Sequence, residues 1–460
     1  MRIERTPGQV HPGIKWGIFT LRIPFVHLRP EWPEFFQGAI ITTAIGFTLV
    51  PILVMNFGLS REEALAMCLI HAVLIFWSPL LYGEPFIAGW ITPAVPFLFA
   101  FMLGPSSPYQ DPTVKFHAMT AMSIEFALLT AFLGITGLGK RVISWIPFSV
   151  KAGVMMGAAL AALKRIFVDE FAMYMTQPWA MSIALIVSLI ILFSLPFDRL
   201  KSKFPFIARL ASFGFLPGLF LAAVVGVVAG ELKFSIEWGF TGLPFLSLWE
   251  KTSPFVIGWP PLSMFLDVDI ITIVFIAYIA VFGDMITGIE LVKDAQAART
   301  DEKIEINNNR SHFVLAIRNF LMACFAPFFA TQGFMWTGTQ VLILKRWREG
   351  RAAIDSVFSG IASFTAFGIP AAFFILPIIT LLEPLLNISL NLTLLLTAFA
   401  CASVALRLVH QPLQLGVALT TAFALVFFRN PWIGVVVGVV TALILIGVDN
   451  VERDEPEAET

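Results

Sequence analysis

The chain has 460 residues, of which 58% are hydrophobic and only 13% are charged, and its formal net charge is −1. Soluble domains carry about 25% charged residues, so this composition excludes a soluble protein. Many apolar runs approach the roughly 20 residues that a helix needs to cross a bilayer. We therefore expect an all-α, multi-pass protein of the plasma (inner) membrane.

Residues 1–34 are polar, basic and rich in proline, and they show no cleavable signal peptide, so we expect a cytoplasmic N-terminal segment. Residues 231–265, rich in Trp, Pro and Phe, are expected to form an extracytoplasmic connection in the membrane interface. Residues 449–460 form an acidic cytoplasmic tail in this interpretation. Fourteen apolar segments lie at 35–57, 63–83, 85–104, 118–138, 143–163, 179–197, 209–230, 266–291, 311–330, 333–344, 353–381, 384–406, 412–428 and 431–448.

The distribution of lysine and arginine orients these segments. With residues 1–34 placed in the cytoplasm, Lys and Arg concentrate in the connections that fall on the same side of the membrane. Such a bias is typical of cytoplasmic connections. It fits an even number of crossings, so both termini are predicted to be cytoplasmic.

The third apolar segment, at 85–104, is interrupted near its start. Residues 83–104 read GEPFIAGWITPAVPFLFAFMLG, and Pro93 and Pro96 open the apolar run. Because proline is tolerated in the first turn of a helix and costly inside one, the helix is predicted to begin near Thr92, after an extended piece. The helix that remains spans about 18 Å, little more than half of a bilayer.

Segment 10 repeats this arrangement. Residues 331–340 read TQGFMWTGTQ, between the apolar run LMACFAPFFA and a basic cluster. A helix that begins near Gly338 would start close to the midplane, where non-helical backbone survives only inside protein or a water-filled cavity. Ordinary Gly/Pro kinks are the alternative. Half-helices at corresponding places of two halves favour inverted repeats, at 35–230 (segments 1–7) and 266–448 (segments 8–14), with a solute site between the half-helix N-termini.

Three stretches carry a resemblance to a known group of proteins: IPFSVKAGVMMGAALAAL, VFGDMITGIELVKD and TQGFMWTGTQVLIL. They resemble the uracil permease-fold transporters, which include the nucleobase–cation symporters (xanthine, uracil and ascorbate permeases), the sulfate permease-type anion transporters and the bicarbonate transporters. The resemblance covers residues 35–448 and implies a seven-plus-seven inverted repeat. Two carboxylates of the nucleobase symporters are replaced, since Ala280 aligns with a base-binding Glu and Gly338-Thr339-Gln340 stands in place of Gly-Glu-Asn.

Ionisable side chains inside apolar segments are candidates for function, because burying a charge in a membrane is costly. Asp284, between two glycines, is expected to carry a proton or to help bind Na⁺, with a structural hydrogen bond as the alternative. Glu125 is expected to be a proton carrier or a pairing partner. For Arg318, pairing with a carboxylate is favoured over contact with an anionic solute. His71 is interpreted as a buried histidine whose hydrogen bonds are satisfied.

Polar uncharged groups and flat aromatic faces complete the predicted site, and this mixture suits a small planar or anionic solute at a helix N-terminus. Coupling is assigned to Asp284 and Glu125. The predicted substrate-binding residues are Thr92, Asp284, Gln332, Trp336, Thr337, Gly338, Thr339 and Gln340.

These observations predict a secondary active transporter of a small polar or anionic solute, similar to the xanthine and uracil permeases and coupled to H⁺ or Na⁺. The alternative is a sulfate permease-like anion exchanger or channel without a STAS domain. A membrane-embedded enzyme is the remaining alternative, and we do not expect one, since the histidines are dispersed and no HExxH or GxSxG motif occurs. The expected partners are the solute, the coupling ion, membrane lipid and a second copy of the chain in a homodimer. No metal, other cofactor or nucleic acid is expected.

Overall fold

The computed structural model describes residues 5–36, 38, 46–103, 107–139, 146–211, 215–367, 372–428 and 431–447. It is mostly helical, as predicted, and the acidic tail at 449–460 lies outside the described residues. Short 3-10 turns cover Thr92–Ala94 and Glu383–Leu385, and π-helical turns cover Arg165–Asp169 and Ala362–Phe367. The α-helices are α1 Leu49–Phe57, α2 Arg61–Phe76, α3 Ser78–Leu81, α4 Val95–Leu103, α5 Pro112–Thr136, α6 Phe148–Lys164, α7 Phe171–Tyr174, α8 Pro178–Phe193, α9 Leu195–Lys203, α10 Pro205–Ala211, α11 Leu216–Val228, α12 Phe245–Thr252, α13 Pro254–Ile257, α14 Leu262–Phe265, α15 Val268–Ala298, α16 Asn308–Phe325, α17 Thr337–Arg348, α18 Val357–Ile361, α19 Leu376–Leu382, α20 Leu386–Leu408, α21 Pro412–Phe427 and α22 Pro431–Leu445.

Within the described residues, four helical stretches are long and apolar enough to cross a membrane, and they include α5, α15 and the continuous run Leu376–Leu408. The number rises to five if α8 and α9, which meet at 66°, form one bent span. Shorter apolar helices include Thr92–Leu103, α11, α21 and α22. Since many of the helices are too short to span a bilayer alone, the count of fourteen segments stays a prediction.

Residues 5–34 fold onto one end of the helices. Strands β2 (Ile14–Trp16) and β3 (Phe19–Leu21) form an antiparallel hairpin, and β1 (Gln9–Val10) pairs in parallel with β4 (Glu302–Lys303). The all-α prediction misses these strands, because strands of two or three residues show no alternating pattern and depend on distant loops. We call this end the N-terminal face, formed by residues 5–34, 299–305 and 345–356.

A buried ion network holds the N-terminal face together. Arg5 is 4% exposed, lies 2.8 Å from a carboxylate oxygen of Asp301, and donates to the backbone carbonyl of Asp355 at 3.1 Å. Glu302 accepts from the indole nitrogen of Trp347 at 2.8 Å and from the hydroxyl of Ser356 at 2.6 Å. The N-terminal segment is therefore tied to the end of α17 and to the residues that follow it.

At the opposite end, the connection at 231–265 packs over other helices. Lys251 in α12 lies 2.7 Å from Glu63 in α2, and the Ser253 hydroxyl donates to the backbone carbonyl of Cys324 at 2.9 Å. Arg61 pairs with Glu383 at 2.7 Å on the same end. Polar contacts thus close both ends of an apolar bundle.

Small residues let α6, α21 and α22 approach closely. A Cβ added to Gly153 in α6 would lie 2.4 Å from Thr421 in α21, and one added to Gly438 in α22 would lie 2.5 Å from the Thr421 hydroxyl. One turn along each helix, Gly157 and Gly434 meet Leu425 in the same way. Two GxxxG patterns therefore hold α21 between them, which is a common way for helices to pack in membranes.

Candidate solute site at the crossing of two extended segments

Two extended segments, residues 87–91 and 330–336, run antiparallel through the interior, and we call this pair of segments the crossing. Three backbone hydrogen bonds of 2.7 Å join them. The N–H groups of Ile91, Gly333 and Trp336 donate to the carbonyl oxygens of Ala330, Gly89 and Ile87, respectively. These bonds satisfy backbone groups that would otherwise be unpaired in an apolar interior.

Two glycines make this close approach possible. A Cβ added to Gly333 would lie 2.8 Å from the carbonyl oxygen of Gly89, and one added to Gly89 would lie 3.2 Å from the backbone nitrogen of Trp336. The first distance is shorter than real Cβ contacts allow and the second is tighter than most of them, so either added side chain would push the two segments apart. The glycines are therefore required by the distance between the two chains.

The two predicted substrate-binding glutamines form hydrogen bonds with backbone groups. Gln340, fully buried, accepts from the Ile87 nitrogen at 2.8 Å and donates to the carbonyl oxygen of Pro85 at 3.0 Å. Gln332, also fully buried, donates to the carbonyl oxygen of His71 at 3.3 Å. Both side chains brace the crossing, and their contact with a solute stays a prediction.

A short helix begins at each end of the crossing. The 3-10 turn that leads into α4 begins at Thr92, and α17 begins at Thr337, one residue before the predicted start. Neither start is capped by a side-chain hydrogen bond. The first N–H groups of α17 lack intrahelical partners and carry partial positive charge, so this start can receive an anion. The Thr92 start offers fewer free N–H groups, because Pro93 and Pro96 have none and Ala94 donates to the carbonyl oxygen of Ile91 at 2.9 Å.

The threonines at these starts differ in exposure. Thr337 is exposed, whereas Thr339 is 3% exposed and its hydroxyl makes no hydrogen bond to a described residue. Thr92 is half-buried, and among the described residues its hydroxyl donates to the carbonyl oxygen of Trp90 at 3.4 Å. Trp336 is half-buried and precedes the helix, and Gly338 follows Thr337 within its first turn. Uncommitted hydroxyls are suited to bind a polar solute.

Helix α15 packs against both the Thr92–Ala94 turn and α17. The contact is close at Gly288, where an added Cβ would lie 2.9 Å from the sulfur of Met335 and 3.1 Å from the ring of Phe86. Asp284 lies one turn earlier on α15 and is half-buried. Among the described residues it has no hydrogen bond or ion pair, so its carboxylate is available for a proton or a cation.

Glu125 lies in the middle of α5. Its Oε1 atom is buried and accepts no hydrogen bond from a described residue. The next side chain, Phe126, packs edge-on against Phe329, with 5.6 Å between ring centroids. Phe329 directly precedes the crossing, so Glu125 belongs to a helix that supports the site.

The sequence prediction for Arg318 was wrong, because no described carboxylate pairs with it. Arg318 in α16 is 2% exposed, and it donates from Nη2 to the carbonyl oxygen of Gly333 at 2.7 Å. Glu84 is already occupied by Arg310 and by Ser311, each at 2.7 Å. The side chain after Arg318, Asn319, donates to the carbonyl oxygen of Gln332 at 3.0 Å.

His71 only partly meets its prediction. Its Nε2 atom lies 2.7 Å from the carbonyl oxygen of Ala326, while Nδ1 is buried without a partner among the described residues. Asn319 was not predicted as a site residue, and its place beside Arg318 in an apolar run was the signal that could have identified it. Arg318, Asn319 and His71 together form a polar layer behind the crossing.

No protein-family model and no curated protein matches the chain. Among solved structures, the transmembrane domain of a cyanobacterial bicarbonate transporter, BicA, has a TM-score of 0.49 and 14% identity over 88% of this chain and 97% of that chain. Murine Slc26a9, described as an anion transporter in the inward-facing state, has a TM-score of 0.46 and 14% identity over 91% of this chain and 68% of that chain. A structure of SLC26A9 has a TM-score of 0.51 and 13% identity over 91% of this chain and 65% of that chain.

The likeness to SLC26A9 shows a shared fold. Sulfate permease-type transporters have the uracil permease-like fold, so the resemblance predicted from the sequence is confirmed for the fold. The chain is accordingly a multi-pass membrane protein. At 13% identity the likeness extends to the fold alone.

Proposed function

We propose that the chain is a membrane transporter of small anions, with its solute site at the crossing. The observation that carries this proposal is the uncapped start of α17 at Thr337, at one end of the crossing. A helix N-terminus favours negative charge within its first turn, where Thr339 lies. The fold shared with SLC26A9, whose murine form is described as an anion transporter, supports the same proposal.

The sulfate permease-like alternative is favoured over a nucleobase symporter. Recognition of a base would need the carboxylates that the nucleobase symporters carry, and here Ala280 and Thr339 stand at those positions. The hydroxyl of Thr339 is uncommitted, and a neutral donor favours an anion where a carboxylate would repel it. A small inorganic or organic anion is therefore the proposed substrate class.

In this proposal the chain has fourteen segments, half-helices at segments 3 and 10, and cytoplasmic termini. Two ion pairs between described residues support these features. Each pair joins two connections that the prediction places on the same side of the membrane. Arg5 meets Asp301 on the N-terminal face, and Arg61 meets Glu383 on the other face. Thr92–Leu103 and α17 each contain 12 residues, about 18 Å of helix, which is the length of a half-helix.

Asp284 is the proposed coupling residue. A negative carboxylate beside an anion site would oppose anion binding, and protonation would remove that opposition. Proton-coupled anion uptake is therefore the proposed mode of transport, and Na⁺ would act in the same direction by neutralising the charge. The alternative is exchange or channel conduction without a coupling ion. The pH dependence of uptake by Asp284 variants distinguishes coupled transport from this alternative.

Uptake into proteoliposomes tests the proposed function. Purified protein in vesicles of neutral lipid would be given chloride, nitrate, bicarbonate or sulfate, each with and without a pH gradient or a Na⁺ gradient. We expect uptake of at least one anion above the level of protein-free vesicles, and no uptake of uracil or xanthine. Transport of a neutral base without anion transport would overturn the proposal in favour of a nucleobase symporter.

A further inference from the structure

The guanidinium of Arg318 is a buried charge that makes no ion pair with a described carboxylate. Glu84 acts on it only at longer range, because the oxygens of Glu84 are bonded to Arg310 and Ser311. The Nη2 atom of Arg318 holds the carbonyl oxygen of Gly333, in the middle of the crossing, at 2.7 Å. Its Nε and Nη1 atoms are buried, and no described residue accepts a hydrogen bond from them. The side chain is 2% exposed, so bulk water does not compensate the charge.

An uncompensated cation in the interior is costly, and proteins ordinarily pair such groups or use them. The same helix shows the paired case. Arg310, two turns earlier in α16, is 3% exposed, and its Nε donates to Glu84 at 2.7 Å. Because Ser311 occupies the other oxygen of Glu84, that carboxylate is already committed. One of the two buried arginines on this helix therefore has a carboxylate in direct contact, and the other does not.

The groups around Arg318 are polar and incompletely bonded. The side-chain oxygens of Asn319 and Gln332 are buried without donors among the described residues. Both residues are nevertheless attached to the crossing, since Asn319 donates to the carbonyl oxygen of Gln332 at 3.0 Å. The positive charge thus lies in a polar layer that is one hydrogen bond away from the backbone of the predicted site.

We propose that Arg318 is the fixed positive charge that makes the crossing selective for anions, with the transported anion as its counter-charge. This inference rests on the proposed function. Arg318 acts as a positioning and selectivity residue through the Gly333 carbonyl, and direct contact with the solute is not required. A full charge in a low-dielectric interior acts over several ångströms, so its removal weakens anion binding by about tenfold or more.

Two substitutions remove the charge in different ways. Arg318→Gln removes the cation and leaves a shorter side chain with a neutral amide donor. Gln332→Glu keeps Arg318 and its bond to Gly333 and places a carboxylate of the same shape in the same polar layer. We expect both variants to lose at least about tenfold in anion affinity, measured by titration of purified protein with chloride, nitrate and bicarbonate. Arg318→Lys keeps the charge and should stay within about threefold of the wild type.

The matched control is the double variant Arg310→Gln with Glu84→Gln, which removes the other buried arginine on α16 together with its partner. It should lower the melting temperature and leave anion affinity unchanged. If Arg318 only supports the structure, Gln332→Glu retains wild-type anion affinity. In that case Arg318→Gln loses anion affinity only to the extent that its melting temperature falls. That result would overturn the inference.

The outcomes also separate this inference from the proposed function. If the wild-type protein neither binds nor transports any of these anions, the proposed function fails, and the inference fails with it. If the wild type binds anions and Gln332→Glu binds them equally well, only the role of Arg318 is refuted. Should Arg318→Gln fail to fold, Gln332→Glu and Arg318→Lys still decide between the two.

Discussion

Gly333 donates its backbone N–H to the carbonyl oxygen of Gly89 at 2.7 Å, and a Cβ on Gly333 would lie 2.8 Å from that same oxygen. The hydrogen bond and the missing side chain are two aspects of one close approach. It sets the distance between the two segments of the crossing, and it thereby positions the two short helices relative to each other.

Gly333→Ala should therefore separate the two extended segments. Forcing an extra methyl group into a packed site costs about 1–3 kcal/mol, and here the obstacle is backbone that cannot rotate away. We expect a lower melting temperature of the detergent-solubilised protein and weaker anion binding. Gly416→Ala is the control, since nothing lies within 4 Å of an added Cβ at that helical position. Equal melting temperatures for the two variants would show that the crossing is looser than described.

Asp284→Asn should make anion uptake independent of the pH gradient while the protein stays folded and inserted. The neutral amide imitates the protonated carboxyl, so the gradient no longer controls the charge beside the site. Asp294→Asn is the control, because Asp294 lies on the same helix, is exposed and belongs to the end near the N-terminal face. Uptake by Asp284→Asn that still responds to pH as in the wild type would remove Asp284 from the coupling mechanism.

The N-terminal face should give a stability difference that depends on acid pH. Hydrogen bonds from Arg299, together with those from Arg5, lower the pKa of Asp301 to about 2. A carboxyl whose pKa is lower in the folded than in the unfolded chain stabilises the fold above its unfolded pKa of about 3.9, and this stabilisation is lost as the pH falls towards 2.

Asp301→Asn should accordingly lower the melting temperature at pH 7, and the difference from the wild type should shrink between about pH 4 and pH 2. Melting curves across this range would measure it. Asp198→Asn serves as the control, because Asp198 pairs with Lys201 on the surface, where such pairs contribute little. A difference between wild type and Asp301→Asn that stays constant down to pH 2 would contradict the assigned ion network.

The sequence predicted those features that depend on local backbone chemistry. Pro93 and Pro96 placed a helix start at Thr92, and the structure has a 3-10 turn from that residue. The start of the second short helix was predicted at Gly338 and lies at Thr337. Proline and glycine act within one turn of their own position, so their consequences can be derived without knowledge of the fold.

Features that depend on contacts between distant residues could not be derived in this way. Arg318 was expected to pair with a carboxylate, and nothing local indicates that Glu84 is occupied by Arg310 and Ser311. Gln340 was predicted to bind solute, and its contacts with Ile87 and Pro85 join parts of the chain separated by more than 250 residues. The hairpin on the N-terminal face also depends on such long-range contacts.

Thr339 offers a direct way to change charge at the predicted site. Thr339→Ala removes one hydroxyl that makes no hydrogen bond to a described residue, and it should weaken anion binding by about 0.5–1.5 kcal/mol, the contribution of one hydrogen bond. Titration of purified protein with the transported anion would measure this loss. A larger loss accompanied by a lower melting temperature would indicate damage to packing, and no loss would place the anion elsewhere.

Anion uptake by Thr339→Glu, compared with Thr339→Gln in the same proteoliposomes, shows whether an anion binds at the start of α17. The two side chains have nearly the same shape and disturb the packing of this buried position equally, so the comparison isolates one negative charge at the start of α17. We expect Thr339→Gln to retain measurable anion uptake and uptake by Thr339→Glu to fall to the level of protein-free vesicles. Equal anion uptake by the two variants would contradict an anion site at the crossing.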